Sequence, residues 1–158
     1  MAAHSLGQRL GLWLSTGLGF GYFPKGPGTA GTLWGVLLYF AFRGFSDWQF
    51  IAATLVLIGI SIAAVYQAQK ILGPHDSPHI VIDEIVGYLV TVATVPFSWK
   101  HALAGFILFR FFDIAKPFPI RWFDRNVKGA LGVVLDDLVA GVIACLVLRV
   151  ILHFWVSL

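Results

Sequence analysis

Apolar residues in this chain run in long blocks separated by short polar turns, a pattern that predicts helices throughout. Residues 6–20 place Leu6, Leu10, Leu12, Trp13 and Leu14 on an apolar side, which suits a short helix lying in a membrane interface rather than crossing it. A glycine- and proline-rich loop, GLGFGYFPKGPGTAGT, occupies residues 17–32. Five apolar stretches follow, at about 32–43, 49–67, 80–96, 102–115 and 131–157. Crossing a bilayer takes roughly 20 residues, or about 17 at the low end, so the short first and fourth stretches leave four or five spans. No internal repeat, heptad run or low-complexity segment interrupts them. The expected architecture is all-α: a compact polytopic membrane helix bundle with a short N-terminal interfacial helix, in one domain over residues 1–158. The first residues lack the long apolar core and cleavage site of a secretory signal, so insertion is expected to rely on the internal segments.

Loop charges orient the bundle. With Arg9 and Lys25 on the cytoplasmic side, alternation puts 44–48 and 97–101 outside and 68–79 and 116–130 inside. The last of these loops then carries Lys116, Arg121, Arg125 and Lys128, while the outer turns hold Lys100, with Arg43 at a boundary. The same alternation gathers PKGPGTAGT, His75-Asp76, Asp83-Glu84, Asp113 and Asp136-Asp137 near cytoplasmic helix ends. Asp47 falls on the far side. Residues distant in sequence thus converge on one level of the membrane.

Composition supports the membrane class: 58% of the 158 residues are hydrophobic and 12% charged, where a soluble domain carries about 25% charged residues. Mean hydropathy is +0.83. The net charge of +3 is concentrated in Arg110, Lys116, Arg121, Arg125 and Lys128. Such a cluster suits anionic lipid or topology signalling. Aromatic RNA-binding motifs and zinc spacings are absent, which argues against nucleic acid. A single cysteine, Cys145, excludes a disulfide within the chain and any cysteine-rich metal site.

The acids carry the chemistry. Only eight are present, and four form adjacent pairs, Asp83-Glu84 and Asp136-Asp137, inside apolar runs. A carboxylate there costs a few kcal/mol or more unless it is paired, hydrated or bound to a cation. Pairing with arginine or lysine is the ordinary alternative, but few bases besides Arg110 and Lys116 lie at matching depth. Adjacent helical residues diverge by about 100°, so each pair offers one carboxylate to a metal and the other to a second metal or a basic partner. Gly87 and Gly141, one turn beyond the acids, permit close helix approach. Mg²⁺ suits this donor set, since it takes a few carboxylates together with waters and phosphate oxygens.

Arg110, Asp113 and Lys116 recur at i,i+3 spacing near one helical face, and Pro117 and Pro119 should end that helix. Either a local salt bridge or a metal-directed carboxylate flanked by phosphate-holding cations fits them. In Pro24–Thr32 the glycines can wrap an anion and Thr29 or Thr32 can cap the following helix, although no Gly-Lys-Ser/Thr of a Walker loop is present. Residues 121–126, RWFDRN, place aromatics and arginines as interfacial residues do. His75 and His79 fit a solvated loop as well as a role in acid–base chemistry.

Taken in order, GPGTAGT, IVIDEIVG, FRFFDIAKPFPIRWFD and GVVLDDLVAG resemble the phosphatidylglycerophosphatase A family of bacterial inner membranes, over about residues 17–145. The resemblance implies a Mg²⁺-dependent phosphatase converting phosphatidylglycerophosphate to phosphatidylglycerol and inorganic phosphate. The family's acidic positions fall on Asp83, Glu84, Asp113, Asp136 and Asp137, its lysine on Lys116, and its loop threonines on Thr29 and Thr32. Asp76 stands near the place of an aspartate that often precedes the IVxDE motif.

These readings make Asp83, Glu84, Asp113, Asp136 and Asp137 the expected metal ligands, with Asp83, Glu84, Asp113, Lys116 and Asp137 in catalysis. Gly28, Thr29, Thr32, Arg110, Lys116 and Arg121 are expected to hold substrate. Direct attack by water and a phospho-aspartyl route both remain open. A coupled transporter would spread acids through the membrane depth, whereas these gather at one side. A lipid-headgroup transferase would carry an Asp-rich motif with Asp-Gly and Ala-Arg, which is absent. Oligomeric state has no sequence signal.

Overall fold

The structure is a computed structural model that describes residues 4–74 and 77–156. Among these residues every regular element is helical: α1 (Leu6–Ser15), α2 (Pro27–Ala41), α3 (Asp47–Leu72), α4 (Ile82–Thr91), α5 (Trp99–Ala115), α6 (Ile120–Asn126) and α7 (Gly129–Val156). Two of them, α3 and α7, are long and apolar enough to cross a membrane.

Local sequence explains most boundaries. Capping boxes, Ser5 with Gln8 and Ser46 with Gln49, start α1 and α3 by satisfying backbone donors that have no intrahelical partner. At α5, Ser98 accepts from the His101 N–H. That helix ends as expected before Pro117, with Lys116 in a left-handed conformation (φ 42°). Neither Thr29 nor Thr32 caps α2. The helix begins earlier, at Pro27, behind a left-handed Gly26, because proline is preorganised for a first turn that needs no amide donor.

Two segments differ from their sequence reading. Apolar stretch 80–96 yields only the ten residues of α4, about 15 Å of rise, or half a hydrocarbon core. Pro96 biases the preceding residue away from helix, and Thr94 is left-handed (φ 59°). The presumed loop 116–130 contains α6, which the buried Ile120 anchors against the bundle.

The exterior is apolar. Leu103, Ile107, Phe111 and Ile114 form an exposed stripe on α5, and Val142, Leu146 and Val150 another on α7. On α1, Leu10, Trp13 and Leu14 also face outward, while Gly11 and Ser15 are buried, Gly11 against α3 at Gln67.

At one end of the bundle aromatic side chains interlock. Tyr39 packs edge-on against Phe50 and Phe97, and its hydroxyl donates to the carbonyls of Val95 and Pro96 at 3.0 Å each. Asp83, Glu84, Asp113, Asp136 and Asp137 occupy the other end, where α2 and α4 begin and α5 terminates.

Glycine contacts bring those acids together. A Cβ added at Gly141 would collide with the Gly87 carbonyl, and one at Gly87 would lie 2.7 Å from the Phe109 ring and 2.9 Å from the Asp137 carbonyl. Helices α4 and α7 therefore cross backbone to backbone one turn from Asp83-Glu84 and Asp136-Asp137, as the glycine spacing anticipates. Gly87→Ala should lower the thermal midpoint in detergent by several degrees, since overpacking costs about 1–3 kcal/mol. Gly59→Ala, where an added Cβ meets nothing within 4 Å, should not lower it. Equal midpoints for the two variants would contradict this crossing.

Candidate active site

Three helix termini and the third turn of α7 build the site. The first turn of α4 holds Asp83 and Glu84, where the helix dipole favours negative charge. Its start is pinned from outside: the Val81 N–H donates to the Ser15 carbonyl at 2.8 Å. Arg110 and Asp113 come from the last turns of α5, Lys116 from its C-cap, and Gly26 to Gly28 from the start of α2. Asp136 and Asp137 sit two turns into α7. They enclose a cavity of about 260 Å³, to which Ser77, Pro78 and Ile80 also contribute walls.

Adjacent acids take different partners. Oxygen atoms of Asp83, Glu84 and Asp137 lie within 4.8 Å of one another, a set able to hold a metal ion. Glu84 Oε2 and Asp137 Oδ2 are buried with no hydrogen-bond partner among the described residues. Gathering three carboxylates in a desolvated place is costly unless a cation joins them, so the donor set fits a hard divalent ion. Asp136, on the neighbouring face, instead accepts from Lys116 Nζ at 2.5 Å. Asp113 accepts from Arg110 Nη1 at 2.5 Å, and the same nitrogen lies 3.9 Å from Glu84 Oε1. Asp113 thus borders the cluster, sharing Arg110 with Glu84 and lining the same cavity.

Lys116 has a second partner that its motif does not reveal. Asp124 Oδ1, on α6, accepts from Lys116 Nζ at 2.6 Å. Burial lowers the lysine's affinity for its proton, but hydrogen bonds to Asp124 and Asp136 outweigh it and hold the ammonium above its ordinary pKa. Lys116 is therefore a fixed cation. No signal short of the folded turn at Pro117–Pro119 would have paired it with Asp124.

The α2 loop contributes unequally. Gly28 lines the cavity, and a Cβ there would collide with the Glu84 carboxylate and press on Arg110 Nη1. Thr32 is fully buried and its hydroxyl donates to the Gly28 carbonyl at 2.9 Å, while Thr29 is exposed; neither lines the cavity. Arg121 also lies outside it, on α6, with Nη2 donating to the Ala115 carbonyl at 3.4 Å. His79 Nδ1 is 3.0 Å from the Gly21 carbonyl, with its ring against Tyr22. His75 and Asp76 lie outside the described residues.

Fold and site together define a class: an all-helical bundle, apolar outside, with a carboxylate-rich cavity able to hold a metal ion and flanked by cations. Comparison with known proteins agrees. Residues 13–152 match the phosphatidylglycerophosphatase A family, and the chain belongs to that family of phosphatases. Phosphatidylglycerophosphatase A of Escherichia coli K12 is 41% identical over 145 residues, covering 90% of this chain and 83% of that protein. The Haemophilus influenzae protein of the same name is 39% identical, covering 90% and 88%. A Bacteroides thetaiotaomicron protein with the provisional name phosphatidylinositol-3-phosphatase is 35% identical, covering 87% and 90%. No solved structure matches.

Proposed function

We propose that this protein hydrolyses the terminal phosphomonoester of phosphatidylglycerophosphate to phosphatidylglycerol and inorganic phosphate, using carboxylate-held Mg²⁺ at the cytoplasmic face of the bacterial inner membrane. The observation that carries the reading is the meeting of Asp83, Glu84 and Asp137 within 4.8 Å, beside Arg110 and Lys116 in one cavity. Relatives named for this substrate support the choice of lipid. In the membrane, the single domain would pass the bilayer five times, through α2, α3, α4, α5 and α7, with α1 in the interface. The buried Leu89, Val92 and Val95 allow the third pass to be short and partly irregular, because its backbone is shielded by protein.

Asp83, Glu84 and Asp137 would hold the ion, with Asp113 and Asp136 beside them. Bound there, it supplies Lewis acidity and charge neutralisation for a phosphate. Arg110 and Lys116 hold the non-bridging phosphate oxygens as negative charge develops. Gly28, lacking a side chain, lets the start of α2 close on the cavity, and Thr29 and Thr32 support that loop from outside it. In the net reaction water adds to phosphorus, the P–O bond to the glycerol breaks, and the alkoxide takes a proton.

Phosphate release by purified protein in neutral detergent tests this, comparing phosphatidylglycerophosphate, phosphatidic acid and a phosphatidylinositol phosphate, each with and without EDTA. The expected result is preferred release from phosphatidylglycerophosphate, abolished by EDTA and restored by Mg²⁺. Full activity in excess chelator would overturn the metal site, and preference for the inositol lipid would overturn the substrate.

A further inference from the structure

A second concave site lies on α6, outside the acidic cavity. Pro117, Phe118, Arg121, Trp122, Arg125 and Asn126 line a groove of about 380 Å³. Both charged residues in it are arginines, four positions apart and therefore on one helical face. Asp124, the one acid of α6, is engaged by Lys116 and does not line the groove. Phe118 is 83% exposed and Trp122 52% exposed, an arrangement suited to headgroup depth. Guanidinium groups match phosphate geometry, so the groove is complementary to a lipid phosphate with its acyl chains directed toward the aromatic rings.

The groove adjoins the cavity along the chain, since Lys116 lines the cavity and Pro117, the next residue, lines the groove. Arg121 Nη2 donates to the Ala115 carbonyl, one residue from Lys116, whose Nζ reaches Asp136 inside the cavity. A ligand filling both places needs two phosphates on one molecule. Phosphatidylglycerophosphate has them: a terminal monoester and a phosphodiester, joined by one glycerol.

We infer that the α6 groove is the subsite for the substrate's phosphodiester, with Arg121 and Arg125 holding it while the terminal phosphate enters the acidic cavity. This assignment rests on the function proposed above. It makes α6 the element that separates a two-phosphate lipid from phosphatidic acid, which has no diester to place there.

Bulk anionic phospholipid carries the same phosphodiester, so the test separates the two sources. Steady-state kinetics on phosphatidylglycerophosphate are measured for Arg121→Gln, Arg125→Gln and Lys128→Gln, in nonionic micelles alone and in micelles containing phosphatidylglycerol. In nonionic micelles each arginine variant should raise KM about tenfold with a much smaller change in kcat, the loss expected for a charged hydrogen bond. Lys128→Gln, which removes an exposed charge from the adjoining loop, should change KM by less than about twofold. An arginine effect seen only with phosphatidylglycerol present would assign the groove to bulk lipid and overturn the inference. Equal KM increases for all three variants would reduce it to general charge attraction, and unchanged KM in both arginine variants would remove it. If the unaltered protein releases no phosphate from this lipid, the functional reading itself fails, which is a separate result.

Discussion

Asp137→Asn should lower turnover at least about a hundredfold while leaving the protein folded, because in the proposed site it removes an anionic ligand, and even outer-shell changes at metal sites cost ten- to a hundredfold. The residue is 4% exposed, and its side-chain Oδ2 has no hydrogen-bond partner among the described residues. Asparagine keeps nearly the same volume, so packing against α4 is preserved. It also removes one of several mutually repelling carboxylates, and the thermal midpoint without metal should therefore stay the same or rise. Asp83→Asn should behave alike, since it meets the same cluster from α4. Asp47→Asn supplies the control: Asp47 begins α3 at the aromatic end, where its loss costs only a helix-dipole interaction. Near-normal turnover in Asp137→Asn, or equal loss in Asp47→Asn, would remove the acidic cluster from the chemistry.

Lys116→Ala should reduce kcat about a hundredfold, against little change in kcat for Lys128→Ala. The difference is one of placement. Lys116 Nζ lies between Asp124 and Asp136 at the cavity wall, pointed there by the left-handed backbone that ends α5. Lys128 is exposed, and its charge is screened over about 8 Å at physiological ionic strength. Lys116→Ala also removes the cation facing a buried carboxylate, so some destabilisation accompanies it. Kinetics on protein shown to be folded by its thermal transition separate that from catalysis. Equal kcat losses in the two variants would place Lys116 outside the phosphate's reach.

Much of the site is legible in sequence because its constraints are local or severe. Acid pairs in apolar runs have few physical uses, and Gly87 and Gly141 mark the crossing that unites them. The 110–116 spacing brings Arg110 to Asp113, since i,i+3 neighbours share a helix face. Less was readable in the α2 loop. Glycine and threonine there suit both anion binding and close packing, and the fold buries Thr32 with its hydroxyl on its own helix. Asp124 has no sequence feature that pairs it with Lys116, and the pairing comes from the placement of α6.

The all-helical class, the apolar exterior, the helix end before Pro117 and the gathering of paired acids at one end of the bundle all follow from local patterns along the chain. Hydrophobic periodicity, proline chemistry and the cost of buried charge act on neighbouring residues, and so they can be read along the chain. It took the packed helices to show that α4 has only ten residues, and that Asp137 joins Asp83 and Glu84 while Asp136 goes to Lys116. Adjacent carboxylates are chemically alike in sequence. The close contact of α4 with α7 at Gly87 and Gly141, residues far apart in the chain, fixes which of them faces the cluster.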